Sequence, residues 1–195
     1  MLQAGWQARA AGWFTMPVAP GALGVITLST ATSHSAAGTG RSTAHVGLRI
    51  NTVETLVCEL TGKKDEGYRD RTATTSLGYL MPDKRWREWD VSGATATVVA
   101  QTMSEAVERF AVGHLTWLAK DVDALADAVR ASAAWGQATG WARLVVLLAT
   151  AGRVEQASTV LKERLREVTG RTDGAADDVR QVAERLSVWL PSVSV

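Results

Sequence analysis

The spacing of hydrophobic residues changes near the middle of this chain. In residues 44–51 polar residues separate Val46, Leu48 and Ile50, and such alternation indicates a strand with one buried face. Beyond residue 90, apolar residues recur every three or four positions, which is typical of amphipathic helices. The pattern predicts an α+β fold, in which an antiparallel sheet of about four to five strands packs on a long helix.

The first half contains four predicted strands, at residues 6–16, 23–30, 44–51 and 72–80. Gly12 weakens the first of them, and Pro17 and Pro20-Gly21 are expected to end it. Residues 29–43 are rich in Ser, Thr, Ala and Gly, which predicts a flexible loop. Residues 53–60 have apolar positions at helical spacing, so they predict a short helix.

One segment, residues 77–90, connects the two halves. It is predicted to turn at Pro82-Asp83 and to carry Trp86 and Trp89 into the next helix, over residues 94–120. One predicted buried stripe of this helix consists of Val99, Met103, Ala106, Phe110, His114 and Trp117, and Val107, Ala111 and Leu118 are predicted to widen it.

The last third of the chain is predicted to be entirely helical. Further helices are expected at residues 121–132, 141–151, 154–168 and 175–190. The second and third of them resemble a helical hairpin of the tetratricopeptide type, although one hairpin is not a repeat array. We therefore predict two domains, an α+β domain at 1–132 and a helical extension at 133–195.

The charges exclude a strongly basic or acidic protein. Residues 1–90 contain ten Lys and Arg against eight Asp and Glu, and residues 91–195 contain eleven against twelve. A role in binding nucleic acid would therefore depend on a local patch. No apolar run reaches the ~20 residues of a membrane span, so no membrane association is predicted.

Cys58 is the single cysteine of the chain. It excludes an internal disulfide and any cysteine-built zinc site, and Cys58 itself is predicted to be a small core residue. The first residues lack the pattern of a signal peptide, and together these features predict a cytoplasmic protein. No cofactor is predicted.

Several short motifs occur in an order that resembles a known family. They are Gly5-Trp6, Gly12-Trp13-Phe14, His45-Val46-Gly47-Leu48-Arg49-Ile50, Tyr79-Leu80, Arg85-Trp86-Arg87-Glu88-Trp89-Asp90 and Leu115-Thr116-Trp117-Leu118. In this order they are similar to the bacterial family called domain of unknown function 4304. The resemblance covers roughly residues 3–130, although the helix that usually opens the family is nearly absent here. It implies a fold and carries over no catalytic residue.

The sharpest local feature is a basic and aromatic cluster that consists of Lys84, Arg85, Trp86, Arg87 and Trp89. Tryptophan and arginine are common anchors in protein interfaces. The same residue types also stack on bases and bind phosphates, and Lys63, Lys64, Arg69 and Arg71 could extend such a patch. The cluster could also have a structural role, with the indoles packed against the sheet and the charges in solvent.

No catalytic or metal-binding motif is recognisable, and neither catalytic nor metal-ligating residues are predicted. His34, His45 and His114 are scattered and lack ligand spacing. Paired carboxylates such as Asp121 and Asp123 stand at predicted helix starts, where the helix dipole favours them.

These observations predict a non-enzymatic module that binds a protein partner, as a toxin-neutralising, defence or regulatory component. The eight tryptophans, the helical hairpin and the missing opening helix motivate this prediction. One alternative is a nucleic-acid-binding protein that uses the basic and aromatic residues of 63–89. Another is an enzyme with an unrecognised site on the sheet, around His45 and His114.

Overall fold

The computed structural model describes residues 5–31, 39–132 and 139–193. The strands are β1 (Gln7–Ala10), β2 (Trp13–Ala19), β3 (Ala22–Ala31), β4 (Thr39–Ile50), β5 (Ala73–Ser76) and β6 (Trp89–Ser92). The α-helices are α1 (Asn51–Thr61), α2 (Leu77–Leu80), α3 (Ala96–Ala106), α4 (Val112–Leu118), α5 (Val122–Ala131), α6 (Gly140–Thr150), α7 (Val154–Glu167) and α8 (Gly174–Trp189). An antiparallel sheet followed by helices confirms the predicted α+β fold class.

The strands form one sheet in the order β1-β2-β3-β4-β5, and β6 pairs with β4. The first predicted strand is wrong in detail, because a turn at residues 11–12 divides it into β1 and β2. Gly12 has a φ of +76°, and a Cβ there would lie 2.7 Å from the carbonyl oxygen of Leu28. Pro17 does not end the strand as predicted, since it lies within β2, opposite Leu23 of β3.

The predicted loop at 29–43 is also corrected. Its two ends belong to β3 and β4, whereas residues 32–38, and with them His34, lie outside the described residues. Strand β4 begins at Thr39 because Thr39–Ser42 pair with β6. This pairing joins segments about 50 residues apart, and the composition of the loop gives no sign of it.

The path of the chain after Pro82 differs from the prediction. Trp86 and Trp89 do not enter a helix, since Trp89 begins β6, where it pairs with Ser42. The spacing of three residues between the two tryptophans is compatible with a helix. The backbone pairing of β6 with β4 is nevertheless what determines the conformation from Trp89 onward. The predicted strand at 72–80 is shorter than expected, because α2 takes up its second half.

A π-helical segment, Val107–Ala111, joins α3 to α4 within the long helix. Its i→i+5 hydrogen bonds, such as the one from the Val112 N–H to the Val107 carbonyl oxygen, add about one residue to the turn and rotate the residues of α4 around the helix axis. Of the predicted positions beyond Ala106, Val107, Ala111 and Leu118 are buried, whereas Phe110 and His114 are only half-buried and Trp117 is exposed. The buried residues are Met103, Ala106, Val107, Ala111, Leu115 and Leu118. Trp117 is 52% exposed.

The chain forms two compact units. The first, Met1–Leu48 with Thr74–Lys120, contains β1, β2, β3 and β6 with most of β4 and β5, and α4 packs against β2 within it. Leu115 of α4 comes close to Gly24 of β3, where an added Cβ would lie 3.0 Å from the leucine methyl.

The second unit consists of Arg49–Ala73 and Asp121–Val195. Helix α6 is buried from Gly140 to Ala149 and contacts α1, α5 and α7. Helices α6 and α7 form the predicted hairpin, with Gly152 at its turn. Compactness does not test independent folding, so the domains 1–132 and 133–195 stay a prediction. Within the described residues, no helix has the length and apolar character of a membrane span.

Asp121 caps the amino-terminal end of α5, and we expect its removal to destabilise the protein measurably. Its Oδ1 accepts hydrogen bonds of 3.0 Å from the backbone N–H groups of Asp123 and Ala124. We expect Asp121→Ala to lower the free energy of unfolding by about 1 kcal/mol, measured by urea denaturation. Asp127→Ala, at an exposed position of the same helix, is the control, and an equal loss in both variants would contradict the role of the cap.

Candidate functional site

The segment from Pro82 to Trp89, called here the 82–89 segment, connects α2 to β6 and presents one aromatic side chain to solvent. Trp86 is 47% exposed, and its ring centroid lies 5.7 Å from that of His45, with the planes at 58°. Trp89 is only 9% exposed. A partner could therefore reach the indole of Trp86 but little of Trp89.

One carboxylate holds both arginines of the segment. Asp83 Oδ2 accepts hydrogen bonds from Arg85 Nε at 2.7 Å and from Arg87 Nη2 at 2.8 Å. Desolvation raises the pKa of Asp83, but the hydrogen bonds from Arg87 and Arg85 outweigh it and lower that pKa below its usual value. The two arginines are thus held in place by a group within the segment.

The backbone of the segment is also fixed, because it lies directly against α2. A Cβ added at Gly78 would lie 2.2 Å from the Arg85 carbonyl oxygen and 2.9 Å from the Arg87 nitrogen. Lys84 has a φ of +43°, an unfavourable conformation for a residue with a side chain. Such backbone persists only where surrounding contacts impose it, and the Gly78 contact is one of them.

The charges of the segment and its neighbours largely cancel. Glu88 and Asp90 lie 3.3 and 3.6 Å from the guanidinium of Arg41 on β4. With Arg85 and Arg87 paired to Asp83, Lys84 is the one basic side chain of the segment without an ion pair among the described residues. The predicted basic cluster is therefore a mixed-charge surface around an exposed indole.

A buried ion pair lies in the second unit. Arg143 on α6 donates from Nε to both carboxylate oxygens of Glu54 on α1, each at 3.0 Å. The Thr72 hydroxyl donates to Glu54 Oε1 at 2.9 Å. Glu54 is fully buried and Arg143 is 9% exposed. Desolvation raises the pKa of Glu54, while Arg143 and Thr72 oppose this rise by stabilising the carboxylate.

A cavity of about 360 Å³ adjoins this ion pair within the second unit. Its lining residues are Val57, Cys58, Thr61, Lys63, Lys64, Glu66, Asp70, Thr139 and Arg143. Beside it, Arg49 donates from Nη2 to Asp65 Oδ2 at 2.7 Å and from Nη1 to the Gly67 carbonyl oxygen at 2.7 Å. The cavity is thus bordered by fixed charges of both signs.

The two described histidines do not assemble a site. The ring of His45 faces Trp86, and that of His114 lies 5.7 Å from Trp117. Burial lowers the pKa of His114. Across residues 5–31, 39–132 and 139–193, neither histidine joins a group of three potential metal ligands.

Sequence reasoning missed the Glu54–Arg143 pair and the cavity. The two residues stand 89 positions apart, and each lies in a helix whose apolar pattern predicts only a buried face. Helix α6 gave the one usable signal, since Arg143 interrupts an apolar run from Trp141 to Ala149. A charge within a fully buried helix requires a partner.

Comparisons of the chain with protein-family models, with curated proteins and with solved structures found no match. The resemblance to the domain of unknown function 4304 family therefore stays a prediction.

Proposed function

We propose that this protein is a non-enzymatic module that binds a protein partner through the 82–89 segment, with Trp86 as the anchor. A toxin-neutralising, defence or regulatory component would act in this way, by covering or positioning its partner. The observation that carries the proposal is an exposed indole on a segment whose charged neighbours and backbone are held in place.

The fixed geometry supports binding because little conformational freedom is left to lose. Asp83 restrains Arg85 and Arg87, and the segment rests on Gly78. Binding surfaces that are already ordered avoid much of the entropy cost of association. Tryptophan and arginine at the centre of an interface contribute more to affinity than most other residues.

The charge pattern favours a protein over a nucleic acid. Affinity for nucleic acid comes largely from Lys and Arg side chains that neutralise phosphates. Here Arg41, Arg85 and Arg87 already face carboxylates within the protein. A phosphate backbone would have to displace Asp83, Glu88 and Asp90, whereas a protein surface can meet charges of both signs.

The experiment is recovery of a tagged protein from a lysate of its source, after nuclease treatment. We expect a stoichiometric protein partner with the wild type and at least a tenfold smaller yield with Trp86→Ala, because the anchor is lost. Trp117→Ala removes a similarly exposed indole from α4 in the same unit and should retain the partner.

Two results would overturn the proposal. One is recovery of the wild type alone, and the other is an equal yield of partner with the wild type and Trp86→Ala. Recovery that disappears after nuclease treatment, and that weakens steeply as salt rises, would instead support the nucleic-acid alternative.

A further inference from the structure

Three potential metal ligands converge at the edge of the cavity in the second unit. The Sγ of Cys58 and one carboxylate oxygen each from Asp65 and Asp70 all lie within 4.8 Å of one another. Cys58 stands on α1, and the two aspartates stand in the connection between α1 and β5. A single ion of ordinary size could contact all three atoms after small side-chain movements.

Cys58 is a buried free cysteine that borders the cavity. The residue is 8% exposed, it lines the cavity, and its sulfur has no hydrogen-bond partner among the described residues. Desolvation raises the pKa of this thiol, and the negative charges of Asp70, Asp65 and Glu54 raise it further. A cation bound next to the sulfur would oppose the influence of these negative charges on the pKa of the thiol and would favour the thiolate.

The two carboxylates are oriented by groups behind them. Asp65 accepts two hydrogen bonds of 2.7 Å, one at Oδ2 from the Arg49 guanidinium and one at Oδ1 from the Gly67 N–H. Asp70 Oδ2 accepts the Glu66 N–H at 2.6 Å. Each carboxylate oxygen has two lone pairs, so these bonds leave positions for a metal. Ligands in metal sites are commonly held by such outer hydrogen bonds.

We propose that Cys58, Asp65 and Asp70 form a binding site for a divalent transition-metal ion of the zinc class, with its fourth coordination position open to the cavity. One sulfur and two oxygen ligands suit Zn²⁺ or Co²⁺ and exclude a preference for Mg²⁺ or Ca²⁺, which take oxygen ligands. The cavity of about 360 Å³ has room for water or a small ligand at the open position.

Cobalt is the direct probe, because Cys58 is the only cysteine. Any thiolate-to-cobalt absorption band therefore reports this one side chain. We expect the chelator-treated full chain to bind one Co²⁺ with such a band, and Zn²⁺ to displace the cobalt and remove it. Zn²⁺ should also slow the reaction of Cys58 with a thiol-directed reagent.

The variants separate the ligands from general charge effects. Cys58→Ser should abolish the band, and Asp70→Asn should weaken Zn²⁺ binding by about tenfold or more while it keeps an acceptor for the Glu66 N–H. Asp178→Asn on α8, an exposed carboxylate of the same unit, should bind as the wild type does. Circular dichroism checks that each variant is folded.

The absence of a band in the wild type, together with an unchanged thiol reaction rate in Zn²⁺, would overturn the site. If Asp70→Asn binds Zn²⁺ with the affinity of the wild type, Asp70 is not a ligand and the proposed set of ligands is wrong. If Cys58→Ser does not fold, thiol protection in the wild type and in Asp70→Asn decides the question.

Discussion

Replacement of Arg143 with methionine is expected to lower the free energy of unfolding by about 3–5 kcal/mol at neutral pH. The variant leaves the carboxylate of Glu54 fully buried, with the Thr72 hydroxyl as its hydrogen-bond donor and the charge of Arg49 as a weaker stabilising influence. A buried charge that has lost its counter-ion must be desolvated without compensation or take up a proton. Chemical denaturation of both proteins at neutral pH measures the loss.

The loss should shrink in acid. Burial already raises the pKa of Glu54, and removal of Arg143 raises it further in the folded variant. When the pKa of a carboxyl is higher in the folded protein than in the unfolded protein, its protonation stabilises the folded state. This contribution is fully present below the pKa of the unfolded protein and is lost as pH rises through the pKa of the folded protein. The deficit of Arg143→Met against the wild type should therefore be smaller near pH 4.5 than near pH 8.

Two comparisons isolate the buried charge. Arg130→Met removes a half-exposed arginine that pairs with Asp127 on the surface of α5, and it should cost at most about 1 kcal/mol. The double variant Glu54→Gln/Arg143→Met removes both charges and should recover part of the stability. A loss for Arg143→Met below 1 kcal/mol, or one that does not change with pH, would contradict this role of the pair.

Gly78→Ala is expected to destabilise the protein by about 1–3 kcal/mol and to displace the 82–89 segment. The added methyl would lie 2.2 Å from the Arg85 carbonyl oxygen and 2.9 Å from the Arg87 nitrogen. Because both neighbours are backbone atoms, a side-chain rotation cannot relieve the overlap. Alanine otherwise favours helices over glycine by about 1 kcal/mol, so a net loss reports the steric conflict.

Gly113→Ala is the matched control, since Gly113 lies in α4 and has no atom within 4 Å of an added Cβ. That variant should be neutral or slightly more stable in thermal and urea unfolding. If the 82–89 segment is the binding surface, Gly78→Ala should also reduce recovery of the partner, although it removes no side chain from the surface. Stability and partner recovery equal to those of the wild type would show that the segment does not depend on this contact.

The sequence predicted the elements whose signals are local. The alternation of Val46, Leu48 and Ile50 belongs to β4, the spacing of residues 53–60 belongs to α1, and Asp121 caps α5 at its expected start. Each of these signals depends on a residue's own neighbours along the chain, as secondary-structure patterns do.

The errors arose where distant residues or an irregular turn decide the structure. Trp89 lies in a strand because β6 pairs with Thr39–Ser42, although the spacing between Trp86 and Trp89 is compatible with a helix. The π-helical segment at Val107–Ala111 rotates Trp117 toward solvent, and strict helical periodicity cannot anticipate an added residue.

The candidate sites were predictable to different degrees. The sequence indicated the basic and aromatic cluster, but it could not show that Asp83 restrains Arg85 and Arg87 or that Trp86 rather than Trp89 reaches solvent. The spacing of Cys58, Asp65 and Asp70 matches no metal-binding motif. Their ligand atoms lie within 4.8 Å of one another only in the folded chain, where the connection after α1 brings both aspartates near Cys58.

Amide hydrogen exchange, with and without the recovered partner, tests the binding surface most directly. We predict that the partner slows exchange in residues 81–90 and in the part of β4 around His45, whose ring contacts Trp86, and leaves α7 and α8 unchanged. Slower exchange confined to α7 and α8, with residues 81–90 unaffected, would contradict the proposal that the 82–89 segment binds the partner.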